Sequence, residues 1–372
     1  MINEQSRSEE RLTAQSAAQA PRAAAQARSG TETLEPAGTA AARTEAAQGP
    51  CAQDRPEQQT GSAGQADGAE QAAGETRYQR PPRRRRFGDR PDGHKVRTIN
   101  PMNKFMPYIM PMRCDACNTY ADMFDITKTD RFCREKARQG KANFGFLHVM
   151  LAAYIRAISQ RPGINRFISG QKIYARNNIE IVMTVKKTLS LDAPDTCIKV
   201  EFNPDDTVDE VYEKFNAVVE EIQSRPDDKS EFDKLNKLLT RIPGLLCRWT
   251  VKALSFGDYF GWLPKSLLRL SPFHGSMIIT SMGSLGIRPI YHHIYNFGNL
   301  PVFIAYGSRR AVVCCDKDGK ASVKKYIEMK AVTDERICDG FYYASAFKII
   351  KRHVENPELL EQRPEQVYED ID

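Results

Sequence analysis

The stretch TDERICDGFYYA, Thr333 to Ala344, sets the carboxylates of Asp334, Glu335 and Asp339 around the guanidinium of Arg336. A helix pattern, FYYASAFKIIKRHVEN over 341–356, follows at once and stops at Pro357. A carboxylate so near a helix start is favoured in its ionised form by the helix dipole, while Arg336 and Asp334 pull its pKa in opposite directions. Upstream, the apolar run SMIITS ends on the hydroxyls of Thr280 and Ser281, and IYHHIYNF places the imidazoles of His292 and His293 side by side. Carboxylate and imidazole are groups that act as general bases in enzymes. For an adjacent histidine pair, a surface or structural role is the commoner one.

The remaining reactive side chains point elsewhere. Nine cysteines at irregular spacings do not form a disulfide framework. Cys114 and Cys117 make the only CxxC, with no second pair or histidine pair nearby, so they read as reduced thiols, as do Cys314 and Cys315. No metal site is expected. The basic run RPPRRRRFGDR, 80–90, lacks aromatic interleaving or zinc-finger spacing and reads as a solvated linker, so no nucleic-acid partner is expected.

Positioning these groups falls to a mixture of strands and helices. NTYADMFDIT (118–127), NIEIVMTVKKTLS (178–190) and DTCIKVEFNP (195–204) read as strands, and FLHVMLAAYIRAISQRP (146–162) as a long buried helix ended before Pro162. TVDEVYEKFNAVVEEIQS (207–224) carries one apolar stripe and a capping box between Thr207 and Glu210. Three further strands are expected in SMIITSMGSLG, PVFIAYGSRRAVVCC and KKYIEMKAVTDE. Elements mixed in this way build an α/β or α+β layered domain.

Composition divides the 372 residues unevenly. Residues 1–88 are dominated by Ala, Gln, Gly, Glu, Arg and Thr, with too little apolar surface to offset the entropy of ordering, and are expected to be disordered. Residues 89–360 form the folded domain, and the acidic segment 361–372 is expected to be a loose tail. The opening MINEQSRSEE has no signal-peptide core, and no apolar run approaches the length of a spanning helix, so a cytoplasmic protein is expected.

The order of elements and four motifs resemble one family, the catalytic domain of the acyltransferases of 2-oxo acid dehydrogenase complexes, which is related in fold to chloramphenicol acetyltransferase. MFDIT (123–127) looks like the family's strand ending in Asp-Val-Thr. HVMLAAYIRAISQRPGINRFI (148–168) is similar to its helix ending in Pro-x-x-Asn, with Asn165 in the Asn place. GSMIITSMGSLGI (275–287) resembles its Gly-Thr-Phe-Thr-x-Ser-Asn-Leu-Gly segment, and DERICDG (334–340) its Asp-His-Arg-x-x-Asp-Gly motif. The resemblance implies a two-layer α/β sandwich of the chloramphenicol acetyltransferase-like, coenzyme A-dependent type. It also implies a homotrimer with active sites between subunits and a coenzyme A thioester as co-substrate, with no permanently bound cofactor.

In that family a His takes the proton of the attacking group, a Ser or Thr hydroxyl stabilises the oxyanion, and the motif's Asp holds local structure through an Arg. The resemblance carries these roles to Thr280, with Ser281 as the register-slip alternative, and to Asp339, Arg336 and Gly340. The position of the His is Glu335. Removing a thiol proton with a reference His costs about 2.7 kcal/mol and with a reference Glu about 5.7, from the pKa gaps. The difference, roughly 3 kcal/mol, is on the order of a hundredfold in rate. Three readings follow: a Glu335 base with a raised pKa, a base supplied by His292 or His293, or a fold that binds a thioester or partner without transferring the acyl group.

Two departures from the family bear on partners. Residues 1–88 contain no lipoyl hairpin and no small helical docking module, so no lipoyl domain and no core role in a dehydrogenase complex are expected. An insertion at about 225–272 holds both tryptophans, Trp249 and Trp262, among leucines and the cations Arg241, Arg248, Lys252, Lys265 and Arg269. The plainest expectation is an extra pair of helices over the core or at a subunit contact. A lid over a long acyl chain and an interfacial segment on an anionic membrane are the alternatives.

Overall fold

A computed structural model describes residues 77–186, 195–224, 241–315 and 318–371. In chain order the elements are β1 (Gly93–Lys95), α1 (Pro101–Ile109), β2 (Cys117–Asp125), α2 (Thr127–Arg138), α3 (Phe146–Gln160), β3 (Arg166–Ser169), β4 (Lys172–Arg176), β5 (Ile179–Lys186) and β6 (Asp195–Phe202). There follow α4 (Val208–Ser224), α5 (Gly244–Phe260), α6 (Lys265–Leu270), β7 (Met277–Ser281), β8 (Val302–Tyr306), β9 (Arg310–Cys315), β10 (Ala321–Asp334) and α7 (Gly340–Glu355). The larger sheet runs β2-β10-β8-β7-β5-β6, with β9 paired to the first half of β10. β7 is parallel to both of its neighbours, and the other pairs are antiparallel. A small sheet, β1-β4-β3, completes the strands.

Side chains alternate across a strand, and the two faces of the large sheet have different companions. Met277 and Ile279 of β7, Val302 and Ile304 of β8, and Ile327 and Met329 of β10 face a layer built from α3, α4 and α7. α3 is buried almost all round because its sequence is apolar all round, and it packs between α4 and α7. The intervening side chains Val182, Ile278 and Phe303 form a smaller cluster with Leu300 on the opposite face. The architecture is a two-layer α/β sandwich. Among the described residues no helix is long and apolar enough to cross a membrane.

The helix ends follow the sequence closely. At α4 the Thr207 N–H donates to Glu210 at 2.9 Å, and the Glu210 N–H donates to the Thr207 hydroxyl at 3.3 Å, so the capping box closes as expected. α3 ends at Gln160, ahead of Pro162. Additional to the expectations are α1, α2 and the three strands of the small sheet, which are too short to show a period, and the one strand expected in PVFIAYGSRRAVVCC is two, β8 and β9.

Two expectations about the termini are corrected. The segment 361–371 is not loose. Asp370 takes a two-pronged ion pair from Arg166 at 2.6 and 2.7 Å, Arg363 reaches Glu210 at 2.9 Å, and the Tyr368 N–H donates to the Ser159 carbonyl at 2.8 Å. Residues 77 and 78, inside the segment expected to be disordered, are tied to the fold: Arg77 pairs with Asp206 at 3.2 Å and the Tyr78 N–H donates to Asp205 at 2.8 Å. In both segments charged side chains find partners far away in sequence, which composition does not reveal. The rest of the segment expected to be disordered, 1–76, and residues 225–240 of the expected insertion lie outside the described residues.

Candidate functional site

β10 delivers the DERICDG stretch. Its last residue, Asp334, lies opposite Cys117 of β2, and the chain then turns into α7. Asp334 and Arg336 are 1% and 2% exposed, and the guanidinium donates to both carboxylate oxygens at 2.8 and 2.6 Å. Arg336 also donates to the carbonyls of Met110 and Pro111 at 2.9 and 3.2 Å. Arg113 stands 3.9 Å from the same carboxylate, and burial pulls its guanidinium down to about 10 against the opposing pull of Asp334.

The pairing differs from the one the resemblance implies. Arg336 is held by Asp334, and Asp339 does another job: it caps α7, accepting the Tyr342 N–H at 2.8 Å. Gly340 is the first residue of that helix. Asn165 is buried behind the start of β3, where its amide donates to the Asn178 carbonyl at 3.2 Å. Glu335 is half-buried, its N–H donates to the Ala116 carbonyl at 2.9 Å, and its side chain makes no hydrogen bond or ion pair with the described residues.

Thr280 and Ser281 point to opposite faces of the sheet. Ser281, opposite Tyr306, faces the helices and lines a cavity of about 730 Å³ shared with His148, Tyr212 and Arg309. Thr280, opposite Ala305, shares the helix-free face with Ile278 and Phe303. On that same face the ring of His292 lies flat on Phe303, with centroids 4.2 Å apart and planes 5° apart. Its Nε2 is buried and has no hydrogen-bond partner. Burial, reinforced by His293, holds the His292 pKa below the usual imidazole range, so the ring is neutral near neutral pH. His293 is exposed, edge-on to Tyr295 at 5.0 Å.

Register separates Glu335 from Thr280. Thr280 pairs with Ala305, which pairs with Lys330, and Glu335 lies five positions further along the chain. Five residues of strand and two strand spacings amount to roughly 19 Å. Thr280 and His292 therefore share one face of a single chain, whereas Glu335 lies beyond the end of β10, in the turn before α7. Trp249 lies on α5 and Trp262 just after its end.

Sequence reasoning missed the buried polar residues that brace this frame. His148 is a lone imidazole inside the apolar run FLHVMLAAY, and its Nδ1 accepts the Gly145 N–H at 3.1 Å. Asp258, the only carboxylate in 241–270, receives Arg90 at 2.7 Å and stands 3.4 Å from His274 Nε2. In each case the signal was a single polar residue in apolar surroundings.

These imidazoles make stability pH-dependent. Burial is the first cause that depresses His94, His148, His274, His292 and His353 below the usual range. A depressed folded pKa means that the unfolded chain takes up protons, as pH falls through about 6.5, that the folded chain refuses. Stability is therefore expected to be full above that pH and to decline on acidification. Below about pH 4 a further loss is expected at Asp258, whose carboxyl burial raises but His274 and Arg90 together bring down to about 2. Denaturant midpoints at pH about 7.5 and about 5.5 check the first step; a higher midpoint at the lower pH contradicts it.

No protein-family model matches the chain, and no curated protein matches it. Solved structures do. The chain is similar to a probable dihydrolipoamide acetyltransferase from Listeria monocytogenes, at 14% identity and TM-score 0.44, over 74% of this chain and 99% of that one. It is also similar to the Azotobacter vinelandii dihydrolipoamide acetyltransferase (14%, TM-score 0.42, 70% and 88%) and to chloramphenicol acetyltransferase (11%, TM-score 0.41, 68% and 94%).

Proposed function

We propose that the chain transfers an acyl group from a coenzyme A thioester to a hydroxyl or thiol acceptor. It would do so as a homotrimer, on the sheet face that carries Thr280 and His292. One observation carries the reading: a neutral imidazole with a buried, unpartnered Nε2 lies on the same face as the hydroxyl that the sequence motif assigns to the oxyanion. His292 takes the acceptor's proton as the acceptor attacks the thioester carbonyl, and Thr280 donates to the oxygen that becomes negative. Collapse of the tetrahedral intermediate expels coenzyme A as a thiolate, which recovers the proton from His292. Glu335 is not the base in this reading, because the strand register sets it roughly 19 Å from Thr280 of the same chain.

The absence of an imidazole from the DERICDG motif favours a second reading, a fold that binds the thioester without transferring the acyl group. Thiol release from a panel of short- and long-chain acyl-coenzyme A substrates, with acceptor present, separates the two. Turnover is expected for the wild type, and Thr280→Val is expected to lower kcat roughly 10²–10³-fold with little change in KM. Binding of coenzyme A without release of thiol by any acyl chain supports the second reading.

A further inference from the structure

α5 has two faces and the fold uses one of them. Its inner face is anchored through Asp258, whose carboxylate receives Arg90 at 2.7 Å and whose carbonyl accepts the Ser169 hydroxyl at 2.9 Å. Gly257 on the same side lets Leu263 come close. The outer face repeats the helical period in Leu245, Trp249, Ala253, Phe256 and Phe260 and presents these side chains to solvent. Leu245 is 75% exposed and Trp249 66%. Trp262 extends the strip past the helix end, stacked on Phe260 with centroids 4.9 Å apart.

Charge says what this strip fits. Arg248 and Lys252, one helical turn apart, flank it on one side, and Lys252 Nζ lies 5.2 Å over the Trp249 ring. Arg241 and Lys265 lie beyond its two ends and are also exposed. The only carboxylate of the segment, Asp258, is turned inward. A second copy of this face would set cations against cations with no carboxylate between them. An anionic lipid surface satisfies both parts: the apolar side chains enter the acyl boundary, tryptophans sit at the headgroup level, and the cations meet phosphate. At 17 residues α5 is marginal for a span, and a face tied to the fold through Asp258 cannot enter the bilayer.

We infer that α5 lies in the plane of an anionic membrane, with Leu245, Trp249, Phe256, Phe260 and Trp262 inserted and Arg248 and Lys252 at the phosphates. The inference is independent of the acyl-transfer reading. Trp249 and Trp262 are the only tryptophans of the chain, so emission excited selectively from tryptophan reports on this strip alone. With the full chain, vesicles of phosphatidylcholine mixed with phosphatidylglycerol are expected to shift the emission to shorter wavelength and to co-sediment the protein. Vesicles of phosphatidylcholine alone are expected to do neither. Arg248→Gln with Lys252→Gln is expected to weaken partitioning on the order of 25-fold, from about 5-fold per cation near an anionic surface. Trp249→Ser with Phe260→Ser, both at exposed positions, is expected to abolish partitioning while leaving the thermal transition in place. Three results overturn the inference: no blue shift with the anionic vesicles, vesicle binding that survives the Trp249→Ser and Phe260→Ser pair, or concentration-dependent self-association through these residues in place of lipid binding.

Discussion

Asp334→Asn is expected to destabilise the fold by about 3–5 kcal/mol, the cost of breaking a buried ion pair by removing one partner. Two guanidiniums depend on this carboxylate. Arg336 is 2% exposed and donates to both of its oxygens, and Arg113 is 6% exposed and stands 3.9 Å away. An Asn keeps the shape and removes the charge, leaving both cations buried beside a neutral amide. The penalty belongs to the unpaired charges, so Asp334→Leu with Arg336→Met, which leaves only Arg113 without the carboxylate, is expected to cost less than Asp334→Asn alone. Chemical denaturation of the two variants measures both quantities. An Asp334→Asn midpoint within error of the wild type would mean that the guanidiniums find water or another partner.

His292→Gln is expected to lower thiol release by roughly 10²–10⁴-fold, the usual worth of a positioned general base. The glutamine amide can still rest on the Phe303 ring and has nearly the volume of the imidazole, so the face should survive while the basic nitrogen is lost. Because burial already holds His292 below the usual imidazole range, the wild-type rate should keep its basic limb down to mildly acidic pH. His293→Gln, at an exposed position, is the control and is expected to change the rate by no more than a few-fold.

The long, strongly patterned elements were legible in the sequence: α3 from its unbroken apolar run, α4 from its stripe and capping box, and β5 with β6 from their β-branched residues. The small sheet was not, because strands of 3 to 5 residues carry no readable period. Partners of the motif residues were harder to read. Arg336 chooses Asp334, two positions away, over Asp339, three positions away, because Asp339 is occupied as the cap of α7. Arg166 and Asp370 stand 204 positions apart, which is why the C-terminal segment read as a loose tail. That Thr280 and His292 share a face depends on the register of β7 against β8 and on a loop folding back over Phe303, and neither is written in a motif.

The most direct test of the base assignment is thiol release by the Glu335→Gln chain beside the wild type, on the acyl-coenzyme A substrate that the wild type uses best. A rate within a few-fold of the wild type is expected, because Glu335 lies roughly 19 Å from Thr280 of its own chain and His292 carries the proton. The contradicting result is an inactive Glu335→Gln chain whose activity returns on co-assembly with the Thr280→Val chain. That outcome would make the base the carboxylate of a neighbouring copy and leave His292 a structural ring on Phe303.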